Sequence, residues 1–432
     1  MKHQVTMENE IVFMPLGGGQ SVGASCYFLK LGDANILLDA GSGTDRGLNY
    51  GPDLHKLCIS PYLDSLGQIN QIFISHAHWD HVGYLPEAIR QTGAQVYMTE
   101  MTAVLAEYQL YDRCFMYNGK RAEEERLAVR QMLERIVKVN YLQTLDFGTY
   151  KVTFLPAGHI PGAMMMLFEY QGRKILYTGD YSTAATALTD GCMLPGNEDI
   201  DAVILCGLHA KRAGYEQSYD ALYQGISRVL RIAGEGRSVM CQIPQLSKGV
   251  EFLKELDIFN HNHIPVYVDP SIMAIVEKME QMAIPILNAD IHVATGKRPE
   301  RPHIYITSQN RCCGFDCYEQ VRIDFSLHEG FEEIVDFLKQ INPKEVYVVH
   351  CGDARRGVKV ELSGKKGEKE KINGYLKYPN ARMATLESDL AQIPDNQTKV
   401  IYAEESREYV IGFVPEESNT EIKLTKKMEE NV

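Results

Sequence analysis

The segment ISHAHWDHVG, which begins at Ile74, places three histidines and an aspartate within six positions. It continues an apolar run, QIFIS, that predicts a buried strand leading directly into the cluster. Side chains two positions apart on an extended chain point the same way, so His76 and His78 can bind one metal ion. The turn that follows can direct Asp80 and His81 toward a neighbouring ion. These ligand types suit Zn²⁺ best, and Mn²⁺ or Fe²⁺ less well.

Two later segments each offer one further ligand at the end of an apolar strand. LPAGHIPGA carries His159, and LYTGD carries Asp180. Each stands beside a glycine, which lets the backbone approach an ion closely. Taken alone, His159 could equally be a core histidine, and Asp180 could be a turn former. With the histidine cluster upstream, we expect both to be metal ligands.

Composition narrows the protein class. The chain has 432 residues and a formal net charge of -13, which argues against broad binding to nucleic acid or to anionic membranes but leaves room for a local basic groove. Ten cysteines without framework spacing indicate a reducing compartment. For Cys312, Cys313 and Cys317 we favour buried thiols over a structural zinc site. No segment predicts a membrane span or a signal peptide, so we expect a cytoplasmic protein.

The order of predicted elements indicates an α/β protein of several parts. Early glycine-separated apolar runs predict a sheet, and helical periodicity follows from Pro86 to Val139. Alternating helices and strands after Leu208 predict an inserted domain with a parallel sheet, whose last strand is PHIYITS. A helix, GFEEIVDFLKQI, and a strand, EVYVVH, then return to the first domain. The predicted divisions are 1–206, 207–322, 323–392 and, as a C-terminal extension with a polar tail, 393–432.

Four motifs resemble those of the metallo-β-lactamase superfamily over about the first 205 residues: ILLDAG with Asp39, HAHWDH, AGHIPGA and YTGDYS. The resemblance implies an αββα sandwich. It also implies that Asp180 bridges two metal ions, and that Asp39 supports the site without binding metal. The implied ligands of one ion are His76, His78 and His159, and those of the other include Asp80 and His81.

The C-terminal half is similar to the β-CASP branch, the nucleases related to RNase J and the polyadenylation endonuclease. The similar segments are SVMCQIPQLSKGVEFLKEL, IPVYVDPSIM and FSLHEGFEEIVDFLKQINPKEVYVVHCGD. The similarity implies an inserted β-CASP-like domain. It places His350 where it can complete the second metal's ligands, and His328 where it can protonate the leaving oxygen. RNA-acting members of the branch carry histidine at the His350 position, so the resemblance favours RNA as substrate.

Three departures from the branch predict a divergent member. Cys206 stands where the branch has a glutamate, so the acid expected to orient His328 is absent; His209 or Glu216 are candidates to replace it. Lys248 stands where the branch has an arginine. The stretch between TSQN and FSLH is also shorter than in the branch, which removes a segment that helps to enclose substrate.

The resulting hypothesis is a zinc-dependent ribonuclease that hydrolyses phosphodiester bonds through a hydroxide shared by two metal ions. We expect Asp80 and Asp180 to hold the cluster and to accept a proton, and substrate to enter between the two domains. Trp79 is expected to support the metal loop, with base stacking as the alternative. Candidate phosphate-binding residues are Arg311, Arg355 and Arg356, although each alone indicates only a surface charge.

Two other functions remain compatible with the sequence. One is a binuclear hydrolase of a small ester, lactone or phosphodiester, which leaves the inserted domain and His328 without a purpose. The other is a weakly active RNA-binding scaffold subunit, which the absent acid at Cys206 favours and the complete set of seven metal ligands disfavours. The sequence is also compatible with a homo-oligomer.

Overall fold

The computed structural model describes residues 11–351, apart from 20, 47, 115–118, 197–198, 211–218, 296–298, 300, 309–317 and 324, together with 381–383, 390–393 and 401–402. The helices in this part of the chain are α1 (His55–Ile59), α2 (Trp79–Val82), α3 (Leu85–Thr92), α4 (Glu100–Cys114), α5 (Lys120–Glu134), α6 (Asp220–Gly234), α7 (Lys248–Phe259), α8 (Pro270–Gln281) and α9 (Phe331–Ile341), with a 3-10 turn at Leu66–Gln68.

The strands form two large sheets, a third smaller sheet and a two-stranded pair. In chain order they are β1 (Ile11–Gly17), β2 (Cys26–Leu31), β3 (Ala34–Leu38), β4 (Gly43–Asp45), β5 (Leu48–Tyr50), β6 (Gln71–Phe73), β7 (Gln95–Thr99), β8 (Val137–Val139), β9 (Thr144–Asp146), β10 (Lys151–Pro156), β11 (Met164–Tyr170), β12 (Arg173–Tyr177), β13 (Ala202–Cys206), β14 (Val239–Gln242), β15 (Val266–Val268), β16 (Ile291–Val293), β17 (Ile304–Thr307), β18 (Glu319–Arg322), β19 (Glu345–Val349), β20 (Ala381–Met383), β21 (Leu390–Ile393) and β22 (Ile401–Tyr402).

The two large sheets pack face to face, and each buries its other face as well. The first has the order β22-β21-β1-β2-β3-β6-β7-β8 and the second β20-β19-β13-β12-β11-β10-β9. Strand β2 shows why both faces are apolar: Tyr27 and Leu29 belong to the core between the sheets, whereas Phe28 belongs to the core on the outer face. Across the inner core, the rings of Phe73 and Phe168 meet edge to face at 5.7 Å. Burying each such ring contributes roughly 1.5–3 kcal/mol. The predicted sandwich of two sheets is confirmed.

The alternating segment after Leu208 forms its own sheet, as predicted. Its five strands run parallel in the order β16-β15-β17-β14-β18. The prediction that PHIYITS is the last strand was wrong, because Glu319–Arg322 adds a further strand beside β14. That strand is short, and a single one of its residues, Val321, is buried, so the sequence carries little strand signal there.

The predicted helical region from Pro86 to Val139 is interrupted twice. Gln95–Thr99 forms β7, and Val137–Val139 forms β8 beside it at the edge of the first sheet. The segment Ile136 to Val139 continued the apolar period of α5, so periodicity alone could not separate the helix from a short strand. Tertiary pairing with β7 decides the outcome.

The chain then returns to the first domain. Strand β19 pairs in parallel with β13, and β21 pairs antiparallel with β1, so each large sheet gains strands from the segment that follows the five-stranded sheet. These pairings bring residues beyond 345 to the same sheet edge as the early motifs. Among the described residues, no helix is both long enough and apolar enough to cross a bilayer.

Candidate metal centre

The predicted ligands come together at one edge of the sandwich, where several strands end. His76 follows β6, His159 follows β10 and Asp180 follows β12, while His350 follows β19. Neighbouring strands β12, β13 and β19 are parallel, so their carboxyl ends lie side by side. Side chains that are distant in sequence are therefore gathered by the pairing of the strands that precede them.

The first group of ligand atoms is compact. His76 Nε2 lies 3.1 Å from His78 Nδ1, which in turn lies 3.1 Å from His159 Nε2. Asp180 Oδ2 lies 3.5 Å from His76 Nε2 and 3.8 Å from His159 Nε2. Four ligands bound at 2.0–2.1 Å around a tetrahedral ion would be about 3.3–3.4 Å apart. The donor types and their spacing therefore fit a divalent metal ion such as zinc.

The opposite ring nitrogens of these three histidines have partners that set their orientation. His76 Nδ1 lies 3.0 Å from Ser75 Oγ, and His159 Nδ1 donates to the carbonyl of Leu327 at 2.8 Å. His78 Nε2 lies 3.0 Å from Ser247 Oγ, which belongs to the inserted domain. Partners of this kind fix the tautomer and the ring plane of a metal-binding histidine.

The second group consists of Asp80, His81 and His350, whose ligand atoms lie within 4.8 Å of one another. His81 Nε2 lies 3.4 Å from Asp180 Oδ2, and His350 Nε2 lies 3.6 Å from Asp80 Oδ2. Ser25 Oγ lies 3.1 Å from His350 Nδ1, which leaves Nε2 to face the carboxylates. The two groups share a border at Asp180, and both are compatible with binding a divalent metal ion.

Asp39 lies behind the ligands and is saturated with hydrogen bonds. It accepts from the backbone N–H of Ser75 at 2.6 Å and from the Ser75 hydroxyl at 2.8 Å. It also accepts from His81 Nδ1 at 2.7 Å and from the Tyr177 hydroxyl at 2.5 Å. Because its oxygens are occupied and it contacts His81 on the side away from Asp180, its geometry suits the supporting role that the resemblance implies.

The carboxylate of Asp180 is buried, and neither of its oxygens has a hydrogen-bond partner among the described residues. Burial alone would raise the pKa of Asp180, but the facing imidazoles of His350, His81 and His328 hold it well below the usual value. A buried anion without donors is costly unless a cation compensates it. Asp180 is therefore placed where a cation is needed.

Burial also determines the protonation of the first group. It lowers the pKa of His76, His78 and His159 below the ordinary value for histidine, and neighbouring imidazoles lower it further. Neutral imidazole is the form that binds metal. For His81, burial acts in the same direction, but the carboxylates of Asp180 and Asp39 outweigh it and raise the pKa.

His328 borders the ligands on the side of the cleft. Its ring centroid lies 4.5 Å from that of His159, and its Nδ1 lies 3.6 Å from Asp180 Oδ2. Burial lowers its pKa, ahead of the opposing effect of Asp180. The backbone N–H of His328 donates to Ser326 Oγ at 3.1 Å, and the same oxygen lies 3.1 Å from His209 Nε2. His209 thus reaches His328 through Ser326; Glu216, the other candidate, lies outside the described residues.

Cys206, at the end of β13, lies inside the cluster rather than beside it. Its Sγ, a carboxylate oxygen of Asp180 and a ring nitrogen of His350 all lie within 4.8 Å of one another. Burial raises the pKa of the Cys206 thiol, and the neighbouring Asp180 raises it further. The position where the sequence lacks the expected acid thus holds a thiol in contact range of two predicted ligands.

The centre opens into a cleft of about 460 Å³ between the first domain and the inserted domain. The first domain contributes His78, Trp79, Asp80, Gln109 and His159, and the inserted domain contributes the segment 244–248 and Ser308; Leu327 and His328 complete the lining. Trp79 is half-buried, and its ring packs against Gly83, where a Cβ would lie 2.7 Å from ring atom Cδ2. This contact supports the metal loop, while the same residue also borders the cleft.

One glycine makes room for the metal loop, the segment that carries Asp80 and His81. A Cβ on Gly41 would lie 1.7 Å from the carbonyl oxygen of Asp80, so no other residue fits there without displacing that loop. The adjacent backbone pairs hold it: Ala40 N–H donates to His81 O at 2.9 Å, and Ser25 N–H donates to Asp80 O at 2.9 Å. The glycine of ILLDAG is therefore as important to the site as the aspartate before it.

Sequence reasoning missed the residues that orient the ligands. Ser25, Ser75, Ser247 and Tyr177 contact predicted ligands or Asp39, yet none has a spacing that signals it. Of these four, Ser75 was the easiest to predict from the sequence, because it is adjacent to His76. Glu329, next to His328, accepts from the backbone N–H and the hydroxyl of Thr183 and so ties the two segments together. The phosphate-binding candidates Arg311, Arg355 and Arg356 and the cysteines Cys312, Cys313 and Cys317 lie outside the described residues.

Comparison with known proteins agrees with this geometry. Residues 20–220 match the family model described as the metallo-beta-lactamase superfamily. They form a metallo-β-lactamase domain. Within it lie six of the seven predicted metal ligands, and His350 joins them from the returning segment. The fold also resembles the crystal structure of a protein of unknown function from Enterococcus faecalis V583, with a TM-score of 0.57 at 15% identity, covering 79% of this chain and 94% of that one.

Of three similar proteins, two are ribonucleases by name, and the third is named for cleavage and polyadenylation. They include Endoribonuclease ysh-1 of Neurospora crassa (29% identical, covering 59% of this chain and 30% of that protein). "Probable RNase MJ4" of Methanocaldococcus jannaschii is 30% identical, covering 60% and 59%. Cleavage and polyadenylation specificity factor 73 of Drosophila melanogaster is 29% identical, covering 60% and 38%. The resemblance to the β-CASP RNA-processing branch is confirmed at this modest identity. The chain spans less than two thirds of the length of each of these relatives.

Proposed function

We propose that this protein is a zinc-dependent ribonuclease that hydrolyses phosphodiester bonds of RNA. The observation that carries the proposal is the pair of ligand groups that meet at Asp180 and border an open cleft through His78, Asp80 and His159. The names of the similar proteins support the choice of RNA, and so does His350 at the position where RNA-acting relatives of the branch carry histidine.

Two zinc ions would be held by the two groups. The ligands of one are His76, His78 and His159, those of the other are Asp80, His81 and His350, and Asp180 lies between them. Bound zinc lowers the pKa of water toward neutrality and neutralises charge on phosphate oxygens. The remaining tasks, positioning the substrate and moving protons, belong to the side chains of this chain.

Asp80 and His328 are suited to proton transfer because both border the cleft. The Asp80 side chain is 26% exposed, so one of its oxygens can accept a proton from the attacking water. His328 is 18% exposed and lies beside His159, where a scissile phosphate bound at the centre would be within reach. We assign it the donation of a proton to the leaving oxygen. Asp180 stays ionised and holds both ligand groups in register.

A second cavity of about 450 Å³ lies next to the cleft and shares Gln245 with its lining. Its lining includes Tyr108, Tyr111, Arg126 and Arg130. Tyrosine rings stack on bases of any sequence, and arginines contact phosphates. The two arginines and one glutamate of this lining, Glu123, leave a small positive excess beside the tyrosines, where a chain with a net charge of -13 would hold a single strand of RNA.

The test uses the full chain with zinc or manganese and a single-stranded RNA labelled at either end, beside a DNA of the same sequence. We expect RNA fragments, little DNA cleavage and no activity in Asp80→Ala. Intact RNA together with turnover of a chromogenic ester, lactone or phosphodiester would instead identify a small-molecule hydrolase. RNA binding without cleavage of any substrate would identify a scaffold subunit.

A further inference from the structure

Cys206 lies at the centre of the strand edge that gathers the ligands. Strand β13, which it ends, pairs with β12 on one side and with β19 on the other, and both pairs are parallel. Asp180 follows β12 and His350 follows β19. In the register, Cys206 is opposite Val349, the residue before His350. The strand order thus places the thiol between a carboxylate and an imidazole.

The three side chains are close enough to share one ion. Their ligand atoms lie within 4.8 Å of one another. A sulfur bound at 2.3 Å and a nitrogen bound at 2.0–2.1 Å would be about 3.6 Å apart on a tetrahedral ion, and farther apart at higher coordination. The thiol is therefore within reach of an ion shared with Asp180 and His350.

The surroundings of Cys206 favour this use. The side chain is 6% exposed, and the backbone is fixed, because its N–H donates to Thr178 Oγ1 at 3.0 Å. The buried oxygens of neighbouring Asp180 have no hydrogen-bond partner among the described residues, which independently indicates a cation at this place. Cys351 provides the contrast: it follows His350 directly, but its thiol donates to the Gly19 carbonyl at 3.3 Å.

We propose that the Cys206 thiolate is a ligand of the second metal ion, together with Asp80, His81, His350 and Asp180. This inference rests on the proposed metal-dependent function and extends it. When the ion binds, a metal–sulfur bond replaces the S–H bond and the proton leaves to solvent. Thiolate favours zinc, cobalt and cadmium over manganese and magnesium, so the second position selects thiophilic ions. The residue that replaces the branch's glutamate changes which metal the enzyme uses.

The experiment is a cobalt titration of the metal-free full-length protein. We expect sulfur-to-cobalt charge-transfer absorption in the near ultraviolet, growing as the second equivalent binds. Cys206→Ser should remove the absorption and weaken binding of the second equivalent by at least about 10-fold. Cys351→Ser is the matched control, a buried thiol next to the site, and should keep both. Circular dichroism verifies folding, and Cys206→Ala serves as a second variant.

The outcomes separate this inference from the proposed function. Two bound cobalt ions without charge-transfer absorption in the wild type, or absorption that persists in Cys206→Ser, would overturn the inference and leave the ribonuclease proposal standing. Thiolate absorption without RNA cleavage would support the inference and contradict the ribonuclease proposal. Failure to bind cobalt at all would overturn both. If neither variant folds, X-ray absorption of the zinc-loaded wild type decides, through the presence or absence of a sulfur scatterer at about 2.3 Å.

Discussion

The two walls of the cleft differ in how their side chains are held. On the ligand wall, which carries His76 to His81, His159, Asp180 and His350, buried hydrogen bonds fix the ring planes, as Asp39 does for His81. The opposite wall, residues 244–248 of the inserted domain, contacts the histidines through the hydroxyl of Ser247. The difference indicates that the ligand wall carries the reacting groups, whereas the inserted wall adjusts the orientation of His78.

The largest effect is expected on the ligand wall at Asp180. Asp180→Asn should reduce RNA cleavage at least about 1000-fold, because an amide cannot supply the shared negative charge. The measurement is kcat on a labelled RNA with zinc. Asp190→Asn, on an exposed loop position, is the control and should retain activity. Substantial cleavage by Asp180→Asn would contradict the assignment of the chemistry to the ligand wall.

At the border of the two walls, His328→Ala should lower kcat about 100-fold by removing the proposed proton donor. Metal content, measured by mass spectrometry, should stay at the wild-type value. Its Nδ1 lies 3.6 Å from Asp180 Oδ2, so the alternative to exclude is that His328 is itself a ligand. Loss of a metal ion from the variant would reassign it to that role.

A smaller effect is expected from the inserted wall. Ser247→Ala removes the partner of His78 Nε2 and should weaken binding of zinc by the first ligand group about 10-fold, without abolishing activity. Ser238→Ala is the matched control: it is also buried in the inserted domain, but its hydroxyl contacts His303. Equal affinities in the two variants would mean that the inserted wall does not influence the metal.

The smallest effect on catalysis is expected for a substitution of Glu251 on α7, whose role is in stability. Its side chain accepts from Ala187 N–H at 2.6 Å and from the Thr186 hydroxyl at 3.1 Å. Burial raises its pKa from 4.5 to about 7, so the folded state holds a proton that the unfolded state releases. Stability therefore falls as pH rises through this interval. Between about pH 5 and pH 8, the free energy of unfolding of Glu251→Gln should fall by less than that of the wild type. The difference between the two falls should be up to about 3 kcal/mol.

The control for this measurement is Glu134→Gln, at an exposed position on α5. Its difference between the two pH values should match that of the wild type. Identical pH dependence in Glu251→Gln and the wild type would show that ionisation of Glu251, which bonds to Thr186 and Ala187 in the loop after Asp180, does not lower the stability.

The sequence predicted the fold, and it predicted which histidines and aspartates the structure brings together, because both depend on local pattern. Strand-end motifs predict His76, His159 and Asp180, and the pairing of the strands together with the packing of the two sheets determines where they meet. The orienting partners could not be predicted, since Ser247 reaches His78 from a separate domain and no spacing links them. Cys206 shows the same limit: sequence comparison marked a missing acid, and only the order of the strands shows what its thiol contacts.

Ser25 and His350 are 325 positions apart in the chain, yet their side chains meet beside the second ligand group, and His350 N–H donates to the carbonyl of Gly18 at 2.7 Å. During synthesis on the ribosome, the early ligands emerge long before the last one. A nascent chain therefore holds an incomplete centre until residue 350 has left the exit tunnel and β19 has docked beside β13. The second ligand group is therefore the last part of the site to be assembled.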